Sequence, residues 1–162
     1  MADGAGVSRC ECGAAAGPLG VCVDYFHGIL AEEQSDPQMY RWHAPVVCVH
    51  LLQHPSQAHE NYRDGQFRLL QFYLDKGLDA LLRLTAHQVA RNNHRARSGY
   101  DMAPLEAYAP LPQGESPRSF RATLCGLPFR DGSFAADGHP AYGHRIHAIA
   151  EATVESWRSV EG

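Results

Sequence analysis

Cys10 and Cys12 stand one residue apart near the start of the chain, and Cys22 follows ten positions on. His43, His50 and His54 come next, in a chain of 162 residues with ten histidines and five cysteines. Thiolate and imidazole are the ligands that tetrahedral zinc prefers. Gly13, directly after the second cysteine, suits a chain that must bend sharply around an ion. A C-x-C pair bites more tightly than C-x-x-C, and here it has no paired second knuckle. The chemistry suggested is a metal site built from three cysteines and one histidine.

Which histidine joins depends on the elements that carry it. From Cys22 to Glu33 the apolar residues Tyr25, Phe26, Ile29 and Leu30 recur at helical spacing. Gln34-Ser35-Asp36-Pro37 ends that helix, because the residue before proline avoids the α region. A second helix starts near Ala44 with Pro45 in its first turn, where a missing N–H costs nothing. Val46, Val47, Val49, Leu51 and Leu52 continue it to His54-Pro55-Ser56. Eleven steps separate Cys22 from Glu33, and eleven separate His43 from His54. At ~1.5 Å per step each helix is ~16 Å long.

If the two form an antiparallel hairpin, Cys22 lies beside His54 and Glu33 beside His43. That geometry selects Cys10, Cys12, Cys22 and His54 as ligands and leaves His43 a helix length away. His50, one turn before His54 on the same face, is the substitute, and the two could also chelate an ion as an i, i+4 pair. A Glu33–His43 contact reads either as a structural hydrogen bond or as an acid–base pair.

Beyond the hairpin, Asp64 opens a third helix carrying Phe67, Leu70, Phe72 or Tyr73, and Leu74. Gly77 caps it or interrupts a helix running on through Leu78, Leu81, Leu82 and Val89. Pro104, Pro110, Pro112, Pro117 and Pro128 punctuate a stretch that is mostly connection. The last helix, residues 141–158, puts Ile146, Ile149, Ala150, Thr153 and Trp157 on one stripe. No alternating pattern supports a sheet. The expected fold is mainly α, a bundle-like single domain over 1–162. It divides into a metal-binding loop (1–21), a helical core (22–98), an irregular connection (99–140) and a C-terminal helix (141–158).

Composition narrows the function classes. A content of 44% hydrophobic and 20% charged residues fits a globular core and excludes disorder, collagen or a coiled-coil rod. A net charge of −4 argues against a protein built to neutralise phosphates, and so against nucleic acid. The short basic cluster Arg91, Arg95, Arg97 reads as a solvated helix end. No apolar run reaches the ~18 residues of a membrane helix, and the opening residues carry no signal-peptide pattern. An odd number of cysteines, with Cys48 and Cys125 among apolar neighbours as packing residues, argues for a reducing cytoplasm. His139, His144 and His147 read as surface histidines, although His144 and His147, three apart, could face a pocket. His59, His87 and His94 lie in polar stretches and carry no argument. The nucleophile-elbow, P-loop, dinucleotide, H-E-x-x-H and zinc-deaminase motifs are all absent.

Cys10-Glu11-Cys12-Gly13, Cys22 with Phe26 and Glu33, Ser35-Asp36-Pro37, His43 and Leu52-Gln53-His54-Pro55 together resemble an uncharacterised bacterial family of small proteins, a domain of unknown function. Its members open with C-x-x-C-G and carry a lone cysteine, S-D-P, a histidine and L-Q-H-P or V-Q-H-P. The spacing from Cys22 through Pro55 matches without a gap. Ser133 to Trp157 more loosely resembles the family's T-V-x-D stretch and tryptophan-bearing last helix. Here C-x-C replaces C-x-x-C, Gln66 stands where many members have a histidine, and the proline-rich stretch is longer. The resemblance singles out Cys10, Cys12, Cys22, His43 and His54 and assigns them no role.

Two classes of function follow. In one, zinc is structural, held by Cys10, Cys12, Cys22 and His54, and the protein binds a small molecule or a protein partner elsewhere. In the other the protein is an enzyme, using either a catalytic zinc with an open position or an acid–base pocket formed by Glu33, His43 and His144 with Gln66. Three sulfurs make zinc a poorer Lewis acid, which favours the structural role. Redox cycling of Cys10 and Cys12 is a third reading.

Overall fold

The computed structural model describes residues 9–93 and 103–161. Among them are six α-helices and no β-strands beyond two isolated bridges. Arg95, Arg97, His94 and the boundary at 98–99 lie outside the described residues, as do the side chains of His87, Val89 and Arg91.

Helix α1 (Cys22–Glu33) starts where the Asp24 carboxylate accepts from the Val21 N–H at 2.9 Å. Gly20 makes that turn possible: its φ is +125°, and a Cβ there would lie 2.2 Å from the same carboxylate. Asp36 then caps a short helix, α2 (Pro37–Tyr40), accepting from the Gln38 and Met39 N–H groups at 3.2 Å each. The stop signal at Ser35-Asp36-Pro37 is thus also a start signal, with an aspartate cap and proline in the first turn.

Helix α3 (His43–Gln53) begins one residue before the expected Ala44 and returns along α1. Helix α4 (Glu60–Lys76) begins four residues before the expected Asp64, its start capped by His59 accepting from the Asn61 N–H. Its first turn, Glu60-Asn61-Tyr62-Arg63, is polar and exposed or half-exposed, so apolar periodicity cannot reveal it. Gly77, at φ +89°, separates it from α5 (Leu78–Asn93). Helix α6 (His139–Arg158) starts two residues earlier than expected, with Pro140 in its first turn.

The core lies where α3, α4 and α6 meet, and α1 packs on α3 from outside. Val46, Val49 and Leu52 of α3 join Phe67 and Leu70 of α4 and the buried stripe Ile146, Ile149, Ala150 and Trp157 of α6. Each such apolar side chain contributes about 1.5–3 kcal/mol on burial. Buried polar residues lock the layers together. The Trp157 Nε1–H donates to the Leu52 carbonyl at 2.9 Å, and Gln53 Nε2 donates to Thr153 Oγ1 at 3.0 Å.

Among its described residues the proline-marked connection is irregular, with short 3₁₀ turns at Ala103–Leu105 and Leu124–Gly126. Lacking its own ladder, its backbone is satisfied by side chains of the helices. Gln71 donates to the Ala109 carbonyl, Arg68 to that of Tyr108 and Gln53 to that of Ala122, while the Asp64 carboxylate accepts from Leu111 N–H. Glu32 likewise accepts from the Ser133 hydroxyl and the Phe134 N–H.

Candidate metal centre

The α1/α3 hairpin brings its two ends together as the helix lengths require. At one end Cys22, first residue of α1, meets His54, which follows the last residue of α3. The loop carrying Cys10 and Cys12 closes over them. One donor atom from each of Cys10, Cys12, Cys22 and His54 lies within 4.8 Å of all the others. Cys10 Sγ is 3.0 Å from His54 Nε2, and Cys12 Sγ is 3.5 Å from Cys22 Sγ. Four ligands bonded at ~2.0–2.3 Å to one tetrahedral ion stand roughly 3.3–3.8 Å apart. The group could therefore hold a metal ion with small adjustments.

Local structure aims each donor. Gly13, at φ +84°, turns the loop after Cys12, with its N–H bonded to the Cys10 carbonyl at 2.8 Å. A Cβ at Gly13 would lie 2.6 Å from the Arg118 carbonyl, so only glycine lets the loop seat against the connection. His54 Nδ1–H donates to the His50 carbonyl at 2.6 Å, which fixes the ring and presents Nε2 to the sulfurs.

His50 stands behind His54 rather than replacing it. Its ring stacks on Phe26 with centroids 4.1 Å apart, and its Nε2–H donates to Gln57 Oε1 at 2.9 Å. Burial holds the His50 imidazole down at about 4. Burial also works against a charged His54. Hydrogen bonds to Cys12 and the His50 carbonyl, with the fields of Cys10 and Cys12, outweigh it and bring that imidazole to about 9. The Cys12 thiol is pushed up to about 12 by its hydrogen bond with Cys22 and by burial. A metal ion would take these sulfurs as thiolates, so its binding would release protons.

Two participants escaped the sequence reading. Glu11, between the paired cysteines, accepts from the Ser56 N–H at 3.0 Å and the Ser56 hydroxyl at 2.5 Å, clasping the loop to the chain just past His54. Its position between two candidate ligands was the available signal. Cys125 packs against the core as a packing residue should, and in addition its Sγ lies 3.1 Å from Cys22 Sγ. Cys48 is buried in the core as expected, and burial takes its thiol to about 12.

At the other end of the hairpin, His43 Nδ1–H donates to Glu33 Oε2 at 2.7 Å. The Glu33 side chain is 1% exposed and that of His43 is 37% exposed. A buried carboxylate thus orients a half-exposed imidazole, on which the Tyr40 ring stacks at 4.9 Å. Glu33 Oε1 and the Tyr142 hydroxyl are both buried without a hydrogen-bond partner. Burial and the fields of Glu33 and Glu32 raise the Tyr142 hydroxyl far above its ordinary value.

His144 is exposed and lines a groove of about 380 Å³ with Trp42, Tyr73, Leu78 and His147. No hydrogen bond or ring contact among the described residues joins His144 or Gln66 to Glu33 or His43. The Gln66 Oε1 is buried and unpartnered. His139 donates to Asp36 at 2.7 Å, linking the start of α6 to α2, and His147 pairs with Glu151 at 2.9 Å. No helix among the described residues is long and apolar enough to cross a membrane.

No curated protein and no solved structure matches the chain. A family model does, over residues 7–158, a span that takes in all four clustered ligands, the Glu33–His43 pair and the last helix. The chain therefore belongs to DUF5946, a family of unknown function.

Proposed function

We propose that this chain is a zinc protein in which Cys10, Cys12, Cys22 and His54 close a structural Cys3His site. The convergence of four donor atoms within 4.8 Å carries the reading. Four protein ligands fill a tetrahedron and leave no open position, and thiolate-rich sets of this kind are typical of structural zinc. The ion pins the N-terminal loop to the open end of the hairpin and so fixes α1 against α3. Function then lies on the surface that this scaffold presents, toward a small molecule or a protein partner. Five free thiols suit a reducing compartment such as the cytoplasm.

The test is the absorption spectrum of cobalt-substituted protein, purified reduced, with and without azide. Strong sulfur-to-cobalt bands unchanged by azide are expected. Bands that shift would reveal an open coordination position and move the metal to a catalytic role. Absence of cobalt binding would end the metal reading.

A second reading rests on the 2.7 Å Glu33–His43 contact. A buried carboxylate on Nδ1 leaves Nε2 without a partner and able to take or give a proton at the surface, which is the arrangement of a general base. By helix length this pair stands ~16 Å from the metal end of the hairpin, so it would act independently of the ion. Such chemistry would need substrate in the neighbouring groove beside Trp42 and His144. Screening small-molecule turnover in protein with His43→Ala as control tests it.

A further inference from the structure

A tetrahedral ion is satisfied by four donors, yet a fifth sulfur is packed against this cluster. Cys125 sits in the 3₁₀ turn Leu124–Gly126, which rests on α1. Its Sγ is 3.1 Å from Cys22 Sγ, a shorter separation than the 3.5 Å between Cys12 and Cys22. Cys22 is wholly buried, whereas Cys125 is half-buried. It stands outside the group of four and touches it through one ligand only. It packs against the edge of the core, with its thiol toward the Cys22 sulfur and the Gly20 carbonyl.

We propose that Cys22 and Cys125 form an oxidisable pair whose closure into a disulfide removes one ligand and releases the metal. This rests on the zinc reading above. The oxidant class is a hydroperoxide, which meets half-buried Cys125 before wholly buried Cys22. Cys125 becomes a sulfenic acid as the peroxide O–O bond breaks and one water leaves. The Cys22 sulfur then attacks the Cys125 sulfur. The S–S bond forms as the S–O bond and the bond from Cys22 to the ion break, and the departing hydroxide takes a proton from solvent and leaves as a second water. The two sulfurs are oxidised by two electrons and one peroxide is reduced to two waters. A thiol reductant reverses the step and restores the ligand. The pair assigned here differs from Cys10 and Cys12, the neighbours in sequence.

The experiment uses the full chain, purified reduced and loaded with zinc, then exposed to hydrogen peroxide. Released zinc is followed with a chromophoric chelator and disulfide-linked peptides are mapped by mass spectrometry. The expected result is a Cys22–Cys125 link that grows in step with zinc loss and disappears, with zinc rebinding, on reduction. Cys125→Ala and Cys125→Ser keep all four ligands, bind one zinc and release it at least about tenfold more slowly, because the pre-positioned partner is gone. Release from both variants at the wild-type rate, or links that map to Cys10–Cys12 or Cys12–Cys22, would overturn the proposal while leaving the zinc site intact. Reduced wild-type protein that binds no zinc would overturn both.

Discussion

The indole of Trp157 donates its hydrogen bond to the carbonyl of Leu52, two residues before His54, at 2.9 Å. The last helix therefore holds the closing turn of α3, the same turn that delivers the histidine to the sulfur cluster.

Trp157→Phe tests that support. It keeps most of the apolar volume, removes the only donor that reaches the Leu52 carbonyl from α6, and leaves a buried acceptor unmet. A loss of about 1–3 kcal/mol in urea unfolding is expected, with metal affinity reduced as the turn loosens. A variant of unchanged stability would mean that solvent or a neighbouring N–H reaches this carbonyl.

Removing the metal should release the loop without dissolving the core. Chelated protein is expected to keep its helical circular dichroism, because Phe67, Leu70, Ile146 and their neighbours pack without the ion. Its melting temperature should fall by about 5–15 °C, at roughly 2–4 °C per kcal/mol for a chain of this size. Limited proteolysis should then cut between Cys10 and Cys22. Glu11→Ala, which breaks both bonds to Ser56, should weaken metal binding by about 10–100-fold with little change in the core.

The Glu33–His43 pair calls for a double-mutant cycle. His43→Ala strands a buried carboxylate and should cost about 1–3 kcal/mol, less than a fully buried pair because the imidazole is partly exposed. Glu33→Gln in that background should recover part of the loss. Strict additivity of the two changes would show that the contact contributes nothing measurable.

Asp36 supplies a pH test. The hydrogen bond from His139 holds its carboxyl below the ordinary 3.8, helped by the Met39 and Gln38 N–H groups and opposed by slight burial. A carboxyl depressed in the folded state stabilises fully above its unfolded value, and the benefit is lost as pH falls through the folded one. Acid should thus loosen the junction of α2 with α6 below about pH 4. Carboxyl titration by NMR should place Asp36 below 3.8 in the wild type and move it back toward that value in His139→Ala.

The clustering of Cys10, Cys12, Cys22 and His54 was legible because chemistry and helix length sufficed: eleven steps out and eleven back must return Cys22 to His54. The same argument placed Glu33 beside His43. Local signals also marked α1 and the buried stripe of α6. The start of α4 was hidden because its first turn has no apolar face. Helix α2 was signalled by Asp36-Pro37, but four residues carry too little periodicity to be recognised. Cys125 was out of reach for a different reason. It sits 103 residues from Cys22 in an irregular connection, and side-chain hydrogen bonds from Asp64, Arg68, Gln71 and Glu32 decide where that connection lies. No spacing rule encodes such contacts.

The candidate ligands also have an order in time. All four belong to the first third of the chain, whereas Trp157 and Cys125 belong to its last part. At about 5–20 residues added per second on the ribosome, the interval between His54 and Cys125 is several seconds. A nascent chain can therefore load its ion on a hairpin that stands alone, before the element that braces α3 and the sulfur that threatens Cys22 have been made. On the zinc reading, loading during synthesis would therefore meet no competition from Cys125, whereas loading after release would.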